Sequence, residues 1–227
     1  MSKQFWIALA AIIVILGGVV FVTNHNKPAS SSGSGKPTNH IEGSSPTGAR
    51  LIEYGDYQCP VCGTFYQVTQ EIVAKYDKKL IFQFRNLPLT SLHPNAFAAA
   101  RAAEAAGLQN KYWQMHDLLY QNQSSWSQAS DPLSYFDAYA RTIGLNISKF
   151  DTDFSSDAVN RSINADLDAF AKTGDEMATP TYYLNGQRLS NLDLVDKSGQ
   201  PSVDAFSKVI DTILSGKKYT PSTTLQQ

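Results

Sequence analysis

Cys59 and Cys62 are the only cysteines in the chain, with Pro60 and Val61 between them. Sulfurs at this spacing can close into a short ring, and the thiolate form of either is a nucleophile. Half of a zinc site is one alternative, but it needs two further ligands. The histidines on offer are His25, His40, His93 and His116. The first two lie in a polar stretch, and the other two fall in helical patterns without ligand spacing. A purely structural disulfide is another alternative, although closing so short a loop stabilises a fold little.

The flanking residues favour redox chemistry. Leu51-Ile52-Glu53-Tyr54 is apolar and strand-prone apart from one acid, and Gly55-Asp56 ends it. Beyond the pair, Val61, Phe65, Val68, Ile72 and Tyr76 recur at helical spacing. The sulfurs therefore sit where a strand turns into a helix, with Cys59 near the N-cap, Pro60 at the first helical position and Cys62 in the first turn. Free N–H groups and the positive end of the helix dipole stabilise an anion there, which here is the Cys59 thiolate. A C-x-x-C between a strand and an amphipathic helix reads as a redox pair.

Further elements frame that turn. Leu80, Phe82 and Phe84 alternate along a second strand, which must run parallel to the first through a right-handed crossover. Helical patterns follow over 93–106 and 110–121. A third starts at Asp131-Pro132 with Leu133, Phe136, Tyr139, Ala140 and Ile143 on its inner side, and a fourth carries Val159, Ile163, Leu167 and Phe170. Thr179 to Leu184 reads as a strand, Asn185-Gly186 as a hairpin turn and Gln187-Arg188-Leu189 as its partner. A last helix from Ser202 buries Val203, Phe206, Val209, Ile210 and Ile213. The order is βαβ, helices over about 91–175, then ββα: one α/β domain over 49–220.

The 227 residues are 42% hydrophobic with 19 basic and 20 acidic side chains, ample for a core and without an electrostatic footprint for nucleic acid. Phe5 to Val22 is an unbroken apolar run at bilayer-spanning length. No A-x-A-like site follows, so residues 1–23 are expected to be an uncleaved transmembrane anchor, with a cleaved signal as the alternative. Residues 24–48 are rich in Asn, Ser, Gly, Pro and Lys and read as a flexible linker reaching about 25–30 Å. Lys3 on one flank and Lys27 and Lys36 on the other scarcely fix an orientation. An N-terminal span before a long domain, and cysteines confined to one motif, suit a domain on the oxidising, extracytoplasmic side of the cell membrane.

The segment Glu53-Tyr-Gly-Asp-Tyr-Gln-Cys-Pro-Val-Cys62 resembles the active-site region of DsbA-like thiol–disulfide oxidoreductases of the thioredoxin superfamily. Further stretches resemble the same family in the same order: 82 and 84–96, the latter Phe-Arg-Asn-Leu-Pro-Leu-Thr-Ser-Leu-His-Pro-Asn-Ala, the Ala-rich run before Gly107, 111–120, and 178–186 with Ala-Thr-Pro-Thr-Tyr-Tyr-Leu-Asn-Gly. The likeness spans roughly Ile41 to Lys218. It implies a thioredoxin-like fold with an all-helical insertion; the shortage of further ligands leaves no metal expected, and no cofactor is expected. It also implies a cis Thr179–Pro180 bond facing the cysteines, where Thr179 would pair with an extended substrate segment. The residues alone read Pro180 as an ordinary trans proline opening a strand. Glu53 matches an acid beneath the active site and would relay a proton to Cys62 with a pKa raised by desolvation; a solvent-facing edge-strand acid is the plain alternative.

Cys59 is expected to be the attacked sulfur and Cys62 the buried resolving one. Strongly oxidising members carry histidine where this chain has Val61, which implies a less oxidising pair. His93 and His116 read as packed or capping residues. The expected function is disulfide formation in exported thiol proteins, with a membrane redox partner recycling the pair. A reductase or isomerase, or a non-catalytic chaperone-like module, are the alternatives.

Overall fold

A computed structural model describes residues 35–223 of the chain. Alternation along three strands decides how its layers form. In β2 (Arg50–Gly55) and β3 (Leu80–Asn86), Leu51, Leu80, Phe82 and Phe84 point to one face with Tyr182 and Leu184 of β4 (Thr181–Leu184). On the opposite face Tyr54 and Tyr183 pack with Leu87 and Phe170. Both faces of β2 are therefore covered, which suits a central strand with near-continuous apolar sequence. β2 runs parallel to β3 and antiparallel to β4, with Glu53 opposite Phe84 and Tyr182. β5 (Gln187–Arg188) pairs with β4 across Asn185-Gly186, where both residues have positive φ as a primed hairpin turn requires.

The first face is covered by α1 (Pro60–Lys75) and α8 (Val203–Leu214), whose Phe65 and Phe206 both pack on the Tyr182 ring. α8 starts cleanly because Ser202 caps it, accepting a hydrogen bond from Ala205 N–H. Each fully buried Phe or Leu here contributes about 1.5–3 kcal/mol. The helical block lies between β3 and β4 as expected: α2 (Ala96–Gly107), α3 (Tyr112–Gln121), α4 (Gln123–Trp126), α5 (Leu133–Thr142), α6 (Ile147–Phe154) and α7 (Asp157–Ala171). Small side chains allow close approach of α2 to its neighbours: Ala99, Ala100, Ala102, Ala103, Ala105 and Ala106 are all buried.

Several expectations need correction. The linker expected over 24–48 ends earlier, because His40–Ser44 forms β1, antiparallel to β3 at the sheet edge, giving the order β1-β3-β2-β4-β5. Its side chains are mostly exposed, so backbone pairing rather than burial makes this strand. Helix α2 begins at Ala96, leaving His93 in the loop before it. The short helices α4 and α6 were not expected. Val61 and Leu133, assigned to inner faces, are half exposed at helix starts. The anchor expected over 1–23, and the linker up to residue 34, lie outside the described residues. Among the described residues no helix is long and apolar enough to cross a membrane.

Candidate active site

The turn between β2 and α1 is built by hydrogen bonds that the local sequence supplies. Asp56 makes the turn: its carbonyl accepts from Cys59 N–H at 3.1 Å and its carboxylate from Gln58 N–H at 2.7 Å. The other carboxylate oxygen accepts from Leu89 N–H at 2.9 Å and lies 2.7 Å from His93 Nδ1. Cys59 is then the N-cap of α1 and Pro60 its first residue, as expected. Gln58 spans two other segments, accepting from Asn95 N–H at 2.6 Å and donating to the Ser127 carbonyl at 2.6 Å. Gln123 of α4 donates to the carbonyls of Tyr57 at 2.7 Å and Cys59 at 2.9 Å.

Both cysteines are free thiols, Cys59 6% exposed and Cys62 fully buried. The Cys59 thiol donates to the Thr179 carbonyl at 3.5 Å, and the Thr179–Pro180 bond is cis. The structure thus brings Thr179 and Pro180 to the pair from 120 residues away in sequence. A hydrogen bond from the Cys62 thiol has the largest influence on Cys59. Burial opposes it, while the Thr179 hydroxyl and the N–H groups of Cys62 and Val61 add to it, and the Cys59 pKa falls to about 6. Burial, and then the bond to Cys59, pushes Cys62 well above the ordinary thiol range. One sulfur is therefore a thiolate at neutral pH and its neighbour a thiol.

Glu53 lies in the middle of the sheet, 3% exposed, rather than at a solvent-facing edge. Burial pushes its pKa up to about 8 against the hydrogen bond from the Tyr182 hydroxyl. Its charge also raises the pKa of Cys62, so the two groups share one electrostatic environment. Glu53 is protonated at neutral pH and can give up that proton when a nearby group gains charge.

The two histidines part company. His116 is buried against Tyr57, its Nδ1 3.0 Å from the Tyr57 hydroxyl, and burial drives its pKa down to about 3. It is a neutral packing residue, as expected. His93 is instead tied through Asp56 to the cysteine turn. Asp56, Gln58, Asn95 and Gln123 were missed as supports of the site. Only Asp56 left a signal, being an Asp two residues before a backbone N–H it could cap.

A family model described as thioredoxin matches residues 35–212. Solved structures share the fold. BdbD from Bacillus subtilis superposes with a TM-score of 0.65 and 21% identity, covering 81% of this chain and 98% of that one. The α-DsbA1 of Wolbachia pipientis gives 0.65 and 22%, covering 80% and 94%. Among curated relatives, a protein from Salinispora arenicola named Na(+)/H(+) antiporter NhaA 1 is 31% identical over 183 residues, 81% of this chain and 26% of its own length. One of the same name from Mycolicibacterium gilvum is 37% identical over 155 residues, 66% and 24%. The chain thus spans about a quarter of the length of these relatives, and the likeness concerns that segment of them.

Proposed function

The chain belongs to the thioredoxin family, and we propose from that footing that it is a membrane-tethered, extracytoplasmic thiol–disulfide oxidoreductase that forms disulfides in exported proteins. The observation that carries this reading is the split between the two sulfurs, with Cys59 drawn down to about 6 and Cys62 pushed up. A stabilised thiolate belongs only to the reduced protein, so it favours reduction of the pair and oxidation of whatever donates the electrons. That advantage grows as pH rises from about 6 to the ordinary thiol value of 9.

In the oxidising direction a client thiolate attacks Cys59 of the Cys59–Cys62 disulfide. The client–Cys59 bond forms, the S–S bond breaks, and Cys62 leaves as a thiolate. Glu53 gives that thiolate its proton, since burial makes an anionic Cys62 costly. A second client thiolate then attacks the client sulfur bound to Cys59, closing the client disulfide and releasing Cys59 as a stable thiolate. Two electrons have moved to the pair, and a membrane redox partner presenting a disulfide accepts them. Thr179 serves the client: its carbonyl lies 3.5 Å from the Cys59 sulfur, where its backbone can pair with an extended client segment as that segment reaches Cys59.

The oxidase reading rather than a reductase or isomerase rests on the low Cys59 pKa alone. Cys62→Ser should accumulate mixed disulfides with exported proteins on non-reducing gels, and Cys59→Ser none. Equal trapping by both variants would overturn the assignment of the attacked sulfur. A pair found reduced at rest in cells would make the protein a reductant. Antiporter-named relatives carry the similar segment as about a quarter of a longer chain, which supports a domain attached to a membrane-borne protein.

A further inference from the structure

We infer that Gln123 is a positioning residue for the redox pair: its carboxamide, lying across Gly63, holds the Tyr57 and Cys59 carbonyls so that the Val61 and Cys62 N–H groups stay turned to the Cys59 sulfur. The inference rests on the proposed role of Cys59 and names what keeps that sulfur in its place.

Four observations lead to it. First, the carboxamide donates twice, to Tyr57 O at 2.7 Å and Cys59 O at 2.9 Å, from a residue more than sixty positions away. Second, its oxygen lies over Gly63, where a Cβ would come within 2.5 Å of Gln123 Oε1. The residue after Cys62 must therefore lack a side chain for the carboxamide to lie where it does. Third, Gln123 does not rest on a loose surface helix. Trp126 of the same short helix is fully buried, donates to the Leu119 carbonyl at 2.8 Å and packs edge-on against Phe136. The segment that follows is stapled to the same turn by Gln58 and Asn95, which both donate to Ser127 O.

The fourth observation concerns competition for a donor. If α1 began one turn earlier, the Val61 N–H would bond the Tyr57 carbonyl in the ordinary i to i−4 manner. Val61 N–H instead faces the Cys59 sulfur. Gln123 satisfies the carbonyl that this donor leaves behind, so the helix stops at Cys59 and its first N–H groups remain available to an anion. A helix N-terminus is generic. A side chain from the helical insertion that fixes where the helix starts belongs to this chain.

Ultraviolet titration of thiolate absorbance on the reduced full-length chain in detergent tests this. Gln123→Met fills the same space over Gly63 without donating, and Gln123→Ala empties it. Both should raise the Cys59 pKa by about one unit and shift the glutathione equilibrium about tenfold toward the disulfide, the effect of losing these hydrogen bonds. Gly63→Ala should reproduce the rise by displacing the carboxamide, and adding Gln123→Ala to it should bring no further rise. If Gln123 merely fills space, Gln123→Met would titrate like the wild type, and that result overturns the inference. So does an additive double variant. A wild-type chain whose Cys59 ionises at the ordinary thiol value would sink the proposed function instead, so the two failures are distinct.

Discussion

Two buried carboxyl groups lie along β3, Glu53 opposite Phe84 and Asp166 bonded to Asn86, and burial raises the pKa of each to a different extent. Asp166 of α7 is fully buried, yet its carboxylate accepts from Thr38 N–H at 2.8 Å, the Thr38 hydroxyl at 2.6 Å and Asn86 N–H at 2.9 Å. Burial raises its pKa, but these donors hold the rise to about 6. Glu53 is slightly less buried and has the Tyr182 hydroxyl as its hydrogen-bonding support, and its pKa climbs to about 8. Exposure differs little, but the Glu53 carboxyl has more protein around it as well as fewer donors, and both push its pKa above that of Asp166. A carboxylate given several donors ties the segment before β1 to the helical insertion. A carboxyl given one keeps its proton, and its electrostatic coupling to Cys62 is what the proposed proton transfer draws on.

The contrast predicts opposite stability effects. The largest is at Glu53. Its folded-state pKa lies above the ordinary 4.5, so the folded protein holds an extra proton between pH 4.5 and about 8 and loses stability as pH rises through that window. Glu53→Gln removes the loss: urea unfolding of the reduced chain should show a gain of roughly 3–5 kcal/mol at pH 8 and almost none at pH 4. The Asp166 window runs from 3.8 to about 6, so any difference gained between pH 6 and 8 belongs to Glu53.

Asp166→Ala should cost about 3 kcal/mol, because the Thr38 N–H, the Thr38 hydroxyl and the Asn86 N–H lose this acceptor in the interior. Amide exchange should speed up over residues 35–44 more than in α8. A wild-type exchange pattern there would mean that the carboxylate is not what fastens the segment. A smaller effect is kinetic. Glu53→Gln should slow release of Cys62 from the Cys59–Cys62 disulfide under client attack by about a hundredfold near neutral pH, the lower end of general acid catalysis, and flatten its pH profile up to 8. An unchanged profile removes the proton role and leaves Glu53 a buried acid without a task.

Smallest is Val61→His. Val61 is half exposed and reaches the sulfur only through its backbone N–H. A histidine adds a side-chain donor, and the glutathione equilibrium should move about tenfold toward the reduced pair.

The sequence carried what periodicity can carry. Strand β2, the N-cap position of Cys59 and the inner face of α8 were all legible because apolar side chains recur at strand or helix spacing. Glu53 stood out as an acid in an apolar strand. Strand β1 was hidden, since His40–Ser44 has one large apolar residue, Ile41, and that residue is exposed. What makes it a strand is backbone pairing to β3 and a carboxylate 128 residues away from Thr38. The polar supports of the cysteine turn were hidden for the same reason. Gln58, Asn95 and Gln123 act through side-chain bonds to distant backbone, which leave no pattern along the chain. The inner face of α1 was read one residue too far, because Val61 fits the helical stripe but sits where the helix emerges beside Cys59.

The rate of alkylation of the reduced chain by iodoacetamide, followed against pH with the adduct located by mass spectrometry, reaches both halves of the claim at once. The adduct should appear on Cys59 alone, with a midpoint near pH 6. An adduct on Cys62, or a midpoint near the ordinary thiol value of 9, would contradict the division of labour between the two sulfurs.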